Sequence, residues 1–318
     1  MEETQSTLYT WRAPHCRQHF DIARRVYDFS SGDLPFSVYR GYINDSYKDL
    51  VSIKVSEPTS DHQNFLTEIE LLSNLRQANI VSLISYCCDG SDKIIVHEYT
   101  PHGTLYDHLL NPNNGNPPDI KSKIILVNKN LVAKLSNFGF YKLISTSLSE
   151  TDNHVTTAGA DNSVGYEDPD YVYLQNNGLT VKSDVYCFGA VLFQVLCAKP
   201  VFELCESRVE VQNISNSSAR RCVEDGTLGQ IIDPCLKGEI AANSLKAYVD
   251  VACNCLNDRE DERPTLADVA KRLELTLLLQ ECIEADIPFS PSWLRSIPWP
   301  VEESESRAES QDFIILCL

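Results

Sequence analysis

Apolar and polar positions change their rhythm near residue 100, and that change divides the chain. Upstream, short runs dominate: Val38 to Ile43 and Leu50 to Val55 read as strands on either side of the turn residues Asn44-Asp45-Ser46. Ile80 to Cys87 and Lys93 to Tyr99 form a second hairpin pair around Asp89-Gly90-Ser91-Asp92. One helix interrupts the strands. Ser60 or Asp61 can cap it, and Phe65, Ile69, Leu72 and Leu75 recur at spacings of four, three and three. The pattern predicts a small α+β unit.

Downstream of Pro101-His102-Gly103 the period becomes helical. A short helix from Thr104 to Leu110 runs into a loop, Asn111-Pro112-Asn113-Asn114-Gly115-Asn116-Pro117-Pro118. Two apolar runs, Ile124 to Val127 and Leu131 to Leu135, flank the polar turn Asn128-Lys129-Asn130 as a hairpin. Residues 140–164 are rich in Ser, Thr, Asp and Asn and read as a long exposed segment. Thr180 to Ala198 is apolar nearly all round, which predicts a buried helix. Leu245, Val249, Ala252 and Leu256 stripe a second helix. Thr265 with Asp268 opens a third, striped by Leu266, Val269, Leu273 and Leu277. The expected organisation is a loose arm over 1–28, a β-rich lobe over 29–100, a helical lobe over 101–285 and an acidic, disordered tail over 286–318.

Composition narrows the function classes. The chain has 318 residues, 43% hydrophobic, enough for a substantial core. A formal charge of -18 opposes binding to nucleic acid or to an anionic membrane surface. No apolar run reaches bilayer length, and the start Met1-Glu2-Glu3-Thr4 predicts neither a signal peptide nor a myristoyl anchor. Several of the 12 cysteines (Cys87, Cys88, Cys187, Cys197, Cys253) sit in apolar runs, Cys253-Asn254-Cys255 lacks paired zinc spacing, and the cysteines are expected to be buried thiols with no metal site.

Candidate chemistry lies between Asp119 and Gly139. Asp119 precedes the hairpin and Asn137-Phe138-Gly139 follows it. This layout resembles the catalytic loop H-R-D-x-x-x-x-N and the D-F-G loop of eukaryotic protein kinases. Other pieces occur in the same order. Val51-Ser52-Ile53-Lys54 resembles the strand whose lysine neutralises the α- and β-phosphates, and Glu68 matches the glutamate that holds that lysine. His97-Glu98-Tyr99-Thr100 resembles the gatekeeper and hinge, where backbone groups bind adenine; this makes Glu98 and Thr100 nucleotide-site residues. Asp168-Pro169-Asp170 stands for A-P-E, Asp184 matches the buried aspartate bracing the catalytic loop, and Arg263 matches the arginine that would pair with Asp170. Over roughly residues 16 to 282 the chain is similar to plant receptor-like kinases of the malectin-receptor branch. The resemblance implies a two-lobed protein-kinase-like fold, a cytoplasmic location with possible recruitment to the plasma membrane, and an active receptor-like kinase or an immune or signalling receptor as protein partner.

The departures bear on chemistry. Pro117 and Pro118 replace the His-Arg before Asp119, Ile124 stands at the metal-binding asparagine, and Asn137 stands at the D-F-G aspartate. Magnesium prefers anionic oxygen, so these two positions predict impaired Mg2+ binding. Ser31-Gly32-Asp33-Leu34-Pro35-Phe36-Ser37 keeps one glycine where G-x-G-x-x-G should cradle phosphate, so ATP binding is expected to be weak. Only eight residues separate Leu110 from Asp119, where the family has a long core helix of ~20 residues, about 30 Å. That gap predicts an uncovered apolar surface on the helical lobe, and it is open to four readings: a truncated gene model, a splice product, a destabilised fold or a surface masked by a partner. The expected function is a pseudokinase that scaffolds or regulates a partner. The alternative is an active serine/threonine kinase with atypical nucleotide handling, in which Asp119 is the base and Ser163 takes the substrate-loop position.

Overall fold

The computed structural model describes residues 9–11, 20–27, 36–43, 50–56, 62–75, 77–89, 92–109, 124–136, 143–145, 168, 180–199, 218–285 and 313–315. The chain divides into two compact units. One contains residues 1–108 and 122–141, the other residues 109–121 and 142–318.

Strands β1 (Tyr9–Trp11), β2 (Phe20–Tyr27), β3 (Phe36–Ile43), β4 (Val51–Ser56), β5 (Leu83–Asp89) and β6 (Asp92–Glu98) build the first unit. They form one antiparallel sheet in the order β1-β2-β3-β4-β6-β5. Side chains alternate between the faces of a strand, so register sorts them. Val51, Ile53, Ile94, Val96 and Cys87 share one buried apolar cluster. Ser52 lies opposite His97 and Lys54 opposite both Val38 and Ile95, which places these residues on the other face. Helix α1 (His62–Asn74) buries Phe65, Ile69, Leu71 and Leu72, and Glu68 is buried among them.

A second hairpin belongs to this unit. Strands β7 (Ile125–Val127) and β8 (Ala133–Leu135) pair antiparallel. The Val81 amide donates to the Leu135 carbonyl at 3.0 Å, and the Val127 amide donates to the Gly103 carbonyl at 2.8 Å. Leu131, expected to open the second strand, instead turns the chain with φ 61°. The Asn128 side chain accepts from the Asn130 and Val132 amides, and this local bonding outcompetes an earlier start to the ladder. Helix α2 (Leu105–Leu109) is capped reciprocally by Thr104 and Asp107.

The second unit is mainly helical. Helices α3 (Val181–Cys197), α4 (Ser218–Glu224), α5 (Ala242–Cys255) and α6 (Leu266–Glu284) surround a core of Val185, Phe193, Leu196, Val249, Ala252 and neighbouring residues. Thr180 and Ser183 form the capping box that starts α3. Gly189 lets α3 lie close to α5: a Cβ there would stand 2.8 Å from Cys255 Cβ. Burial pushes the thiols of Cys197 and Cys255 up to about 12 and that of Cys253 up to about 11, so these cysteines are inert packing groups.

Other expectations change as well. Residues 20–27 are not a loose arm but form β2, whose alternation is broken by register shifts at Ile22/Arg24 and Arg25/Tyr27. Phe313–Ile315, within the acidic tail, pair as β10 with β9 (Leu143–Ser145). On α6, Leu266 and Leu277 are exposed while Val269, Thr276 and Leu279 are buried; apolar residues lie on several sides of this helix, so a stripe read from spacing is ambiguous. The apolar surface expected on the helical lobe is small on α3, where Val195 is the exposed large apolar residue; Leu277, Leu278 and Ile283 of α6 expose more. None of the described helices is long and apolar enough to cross a membrane.

Candidate functional site

Lys54 is delivered from the middle of β4 and Glu68 from the inner face of α1. Their charges meet at 2.6 Å, with both side chains almost fully buried. Isolated charges at such depth would be expensive, so each is held there by the other. The Phe36 ring completes the enclosure: its centroid lies 4.3 Å from the Lys54 ammonium, and Phe36 is itself buried.

His97 and Glu98 close β6. The His97 imidazole is buried on the same sheet face as Lys54, and its Nδ1 lies 3.2 Å from the Glu98 carbonyl oxygen. A carbonyl can only accept, so the proton of the neutral ring is assigned to Nδ1. Burial lowers the His97 pKa below 6.5, and the nearby Lys54 also lowers it, outweighing the opposing Glu98 hydrogen bond and Glu68 charge. The Glu98 side chain turns away to another task. It accepts from the Ser82 amide at 2.8 Å and pairs with Lys134 of β8 at 2.7 Å. Burial opposes its ionisation, but Lys134 and Ser82 together hold its carboxyl below the usual range. Glu98 is therefore a clip between the end of β6, the segment before β5 and the β7–β8 hairpin. Thr100, two residues on, is buried, and its carbonyl accepts from the Gly103 amide.

The position expected to carry a metal ligand, residue 124, is an isoleucine. Ile124 is buried at 6% exposure, and its carbonyl already accepts both the Ser136 amide at 3.0 Å and the Ser136 hydroxyl at 2.9 Å. Its side chain offers no ligand atom, so this position does not fit a magnesium ion. Asp119, Asn137 and Asp170 lie outside the described residues. No cluster of potential metal ligands occurs among the described residues.

In the helical unit, Asp184 is buried in the first turn of α3. The expected Asp170 partner of Arg263 lies outside the described residues; among those residues Arg263 meets another acid. Its guanidinium binds Asp168 bidentately at 2.7 and 2.6 Å, two residues ahead of Asp170. Ser183 Oγ donates to the same carboxylate at 2.6 Å. The remaining Arg263 N–H groups donate to the carbonyls of Asn257, Lys182 and Asp258, and Tyr186 lies under the guanidinium at 5.0 Å. Ser183, fixed by the α3 cap, orients that carboxylate for the planar arginine fork.

Motif order identifies Lys54 and Glu68, but not the roles of Phe36, His97, Lys134 and Asp168. A signal for Phe36 was available. Counting the frame G-x-G-x-x-G-x-V back from Val38 puts Phe36 on the third glycine.

Comparison with known proteins relates residues 35–273 to protein kinases. The protein kinase domain profile matches residues 118–273. That of the protein tyrosine and serine/threonine kinase family matches residues 35–118, so the two meet just before Asp119. The chain is similar to receptor-like protein kinase ANXUR1 of Arabidopsis thaliana, 41% identical over 298 residues, covering 84% of this chain and 33% of that protein. It is also similar to the receptor-like protein kinases ANXUR2 (39% identity; 80% of this chain, 32% of that protein) and FERONIA (37%; 78% and 30%), both from Arabidopsis thaliana. The chain thus spans about a third of the length of these relatives.

Proposed function

This chain belongs to the protein kinase family and is akin to plant receptor-like kinases, and we propose that it is a pseudokinase. In this reading the kinase fold is kept for scaffolding or regulating a protein partner in receptor-like kinase signalling. The partner is an active receptor-like kinase or an immune or signalling receptor, met at the cytoplasmic side of the plasma membrane. Family membership implies the use of ATP and Mg2+ in general: a bound Mg2+–ATP supplies the transferable phosphoryl group and neutralises its charge.

The observation that carries the proposal is Ile124, an apolar side chain buried where a kinase presents a metal ligand. With Asn137 at the second metal position, the site lacks the anionic oxygen that fixes a divalent cation. A deficit of about 4 kcal/mol in transition-state stabilisation slows transfer about a thousandfold. Asp119 then serves as a base position without an oriented phosphate. The residues that remain favour architecture: Lys54 with Glu68 ties β4 to α1, and Arg263 with Asp168 ties the helical unit.

A second reading, an active serine/threonine kinase, draws support from the intact Lys54–Glu68 contact at 2.6 Å. Incubation with radiolabelled ATP, Mg2+ and a generic substrate separates the two. The pseudokinase reading expects no incorporation above a Lys54→Ala control, and Lys54-dependent incorporation would reject it.

A further inference from the structure

We infer that Phe36 is a built-in occupant of the phosphate end of the nucleotide site, so that the chain satisfies its anchoring lysine without a ligand. This rests on the pseudokinase reading and extends it: that reading removes the metal, and this one removes the nucleotide.

Three observations lead there. By spacing, Phe36 holds the third glycine position of the phosphate loop, where bare backbone is needed for close approach to phosphate. By register, Val38 stands opposite Lys54, so Phe36, two residues earlier on β3, projects from the same sheet face as the lysine. By geometry, the ring lies 4.3 Å from the ammonium while Glu68 holds it at 2.6 Å. The cation therefore has a carboxylate and a π face as partners, and only 4% of the Lys54 surface remains accessible. A phosphate oxygen must come within about 3 Å of that ammonium to bond it, which requires displacing the ring.

At the hinge, too, a side chain of this chain meets a backbone group. The His97 Nδ1–H is bonded to the Glu98 carbonyl, one of the hinge backbone groups available to a purine.

The test is calorimetric titration of the full chain with ADP and ATP in EDTA, with thermal unfolding followed in parallel. The native chain is expected to show no saturable heat up to millimolar nucleotide. Phe36→Gly, which restores the glycine, is expected to bind at least about tenfold more tightly and to gain a nucleotide-dependent rise in melting temperature. Adding Lys54→Met to Phe36→Gly should remove that gain, and Phe36→Leu, which keeps apolar bulk, should behave as native. If Phe36→Gly does not fold, Phe36→Ala carries the comparison. Native binding equal to that of the folded Gly or Ala variant, or no gain in either variant, overturns the inference. The two proposals fail separately. Metal-free binding by the native chain without phosphoryl transfer sinks only the present one. Mg2+-dependent transfer appearing in Phe36→Gly sinks only the metal argument.

Discussion

Arg263 in the helical unit and Lys54 in the sheet unit are both buried cations facing a buried carboxylate, yet they are built differently. Arg263 places five N–H donors on Asp168 and three backbone carbonyls, with its side chain and that of Asp168 at 0% and 1% exposure. Lys54 has Glu68 and an aromatic face, at 5% and 4% exposure. The first arrangement is a planar fork whose every donor serves to join segments 168, 182–186 and 257–263. The second is a point charge of the type that in kinases serves a ligand, here given a ring for company. Under the proposed pseudokinase reading there is no reason to lose the first pair and only a structural reason to keep the second.

The largest expected effect comes from breaking the arginine hub. Arg263→Ala or Asp168→Ala leaves an uncompensated buried charge and should cost about 3–5 kcal/mol by urea denaturation. A cost under about 1 kcal/mol would mean that the hub is not the joint described here.

Replacing both partners sharpens the contrast. Lys54→Met with Glu68→Leu removes the two charges together and should leave stability within about 1 kcal/mol of native, or raise it. Arg263→Met with Asp168→Leu should still cost several kcal/mol, because the carbonyls of Lys182, Asn257 and Asp258 lose their donors at about 1–3 kcal/mol each. Equal outcomes for the two double variants would erase the distinction.

The smallest effect is a pH dependence in the sheet unit. His97 is buried beside Lys54, Glu68 and Glu98, and its folded pKa lies below 6.5. A depressed pKa means that the unfolded chain binds the proton more readily. The contribution of His97 is therefore complete above pH 6.5 and is lost as pH falls through the lower folded value. Urea midpoints at pH 7.5 and 5.5 should differ more for the native chain than for His97→Phe. An unchanged difference would place the titration elsewhere.

Legibility from sequence follows the same division. Regular alternation and helical spacing made β3 to β6, α1, α3 and α5 readable, because one buried face imposes one period on each. Strand β2 was not readable, since its register shifts break the alternation that identifies strands. Lys54 and Glu68 could be paired from their order along the chain. The Arg263–Asp168 contact could not be read from a three-residue motif, as it depends on Ser183 and on the angle of the Arg263 fork. The Glu98–Lys134 clip spans 36 residues and two strands, and no local pattern announces it. Phe36 was hidden for another reason: a degenerate loop reads as missing glycines, whereas the structure shows what one replacement does.

The central claim is that this kinase fold cannot organise a metal-bound nucleotide. A thermal-shift titration of the full chain with ATP, with and without Mg2+, tests it most directly. The account predicts that Mg2+ adds nothing to the melting temperature at any ATP concentration. A shift that grows with ATP only when Mg2+ is present would contradict it.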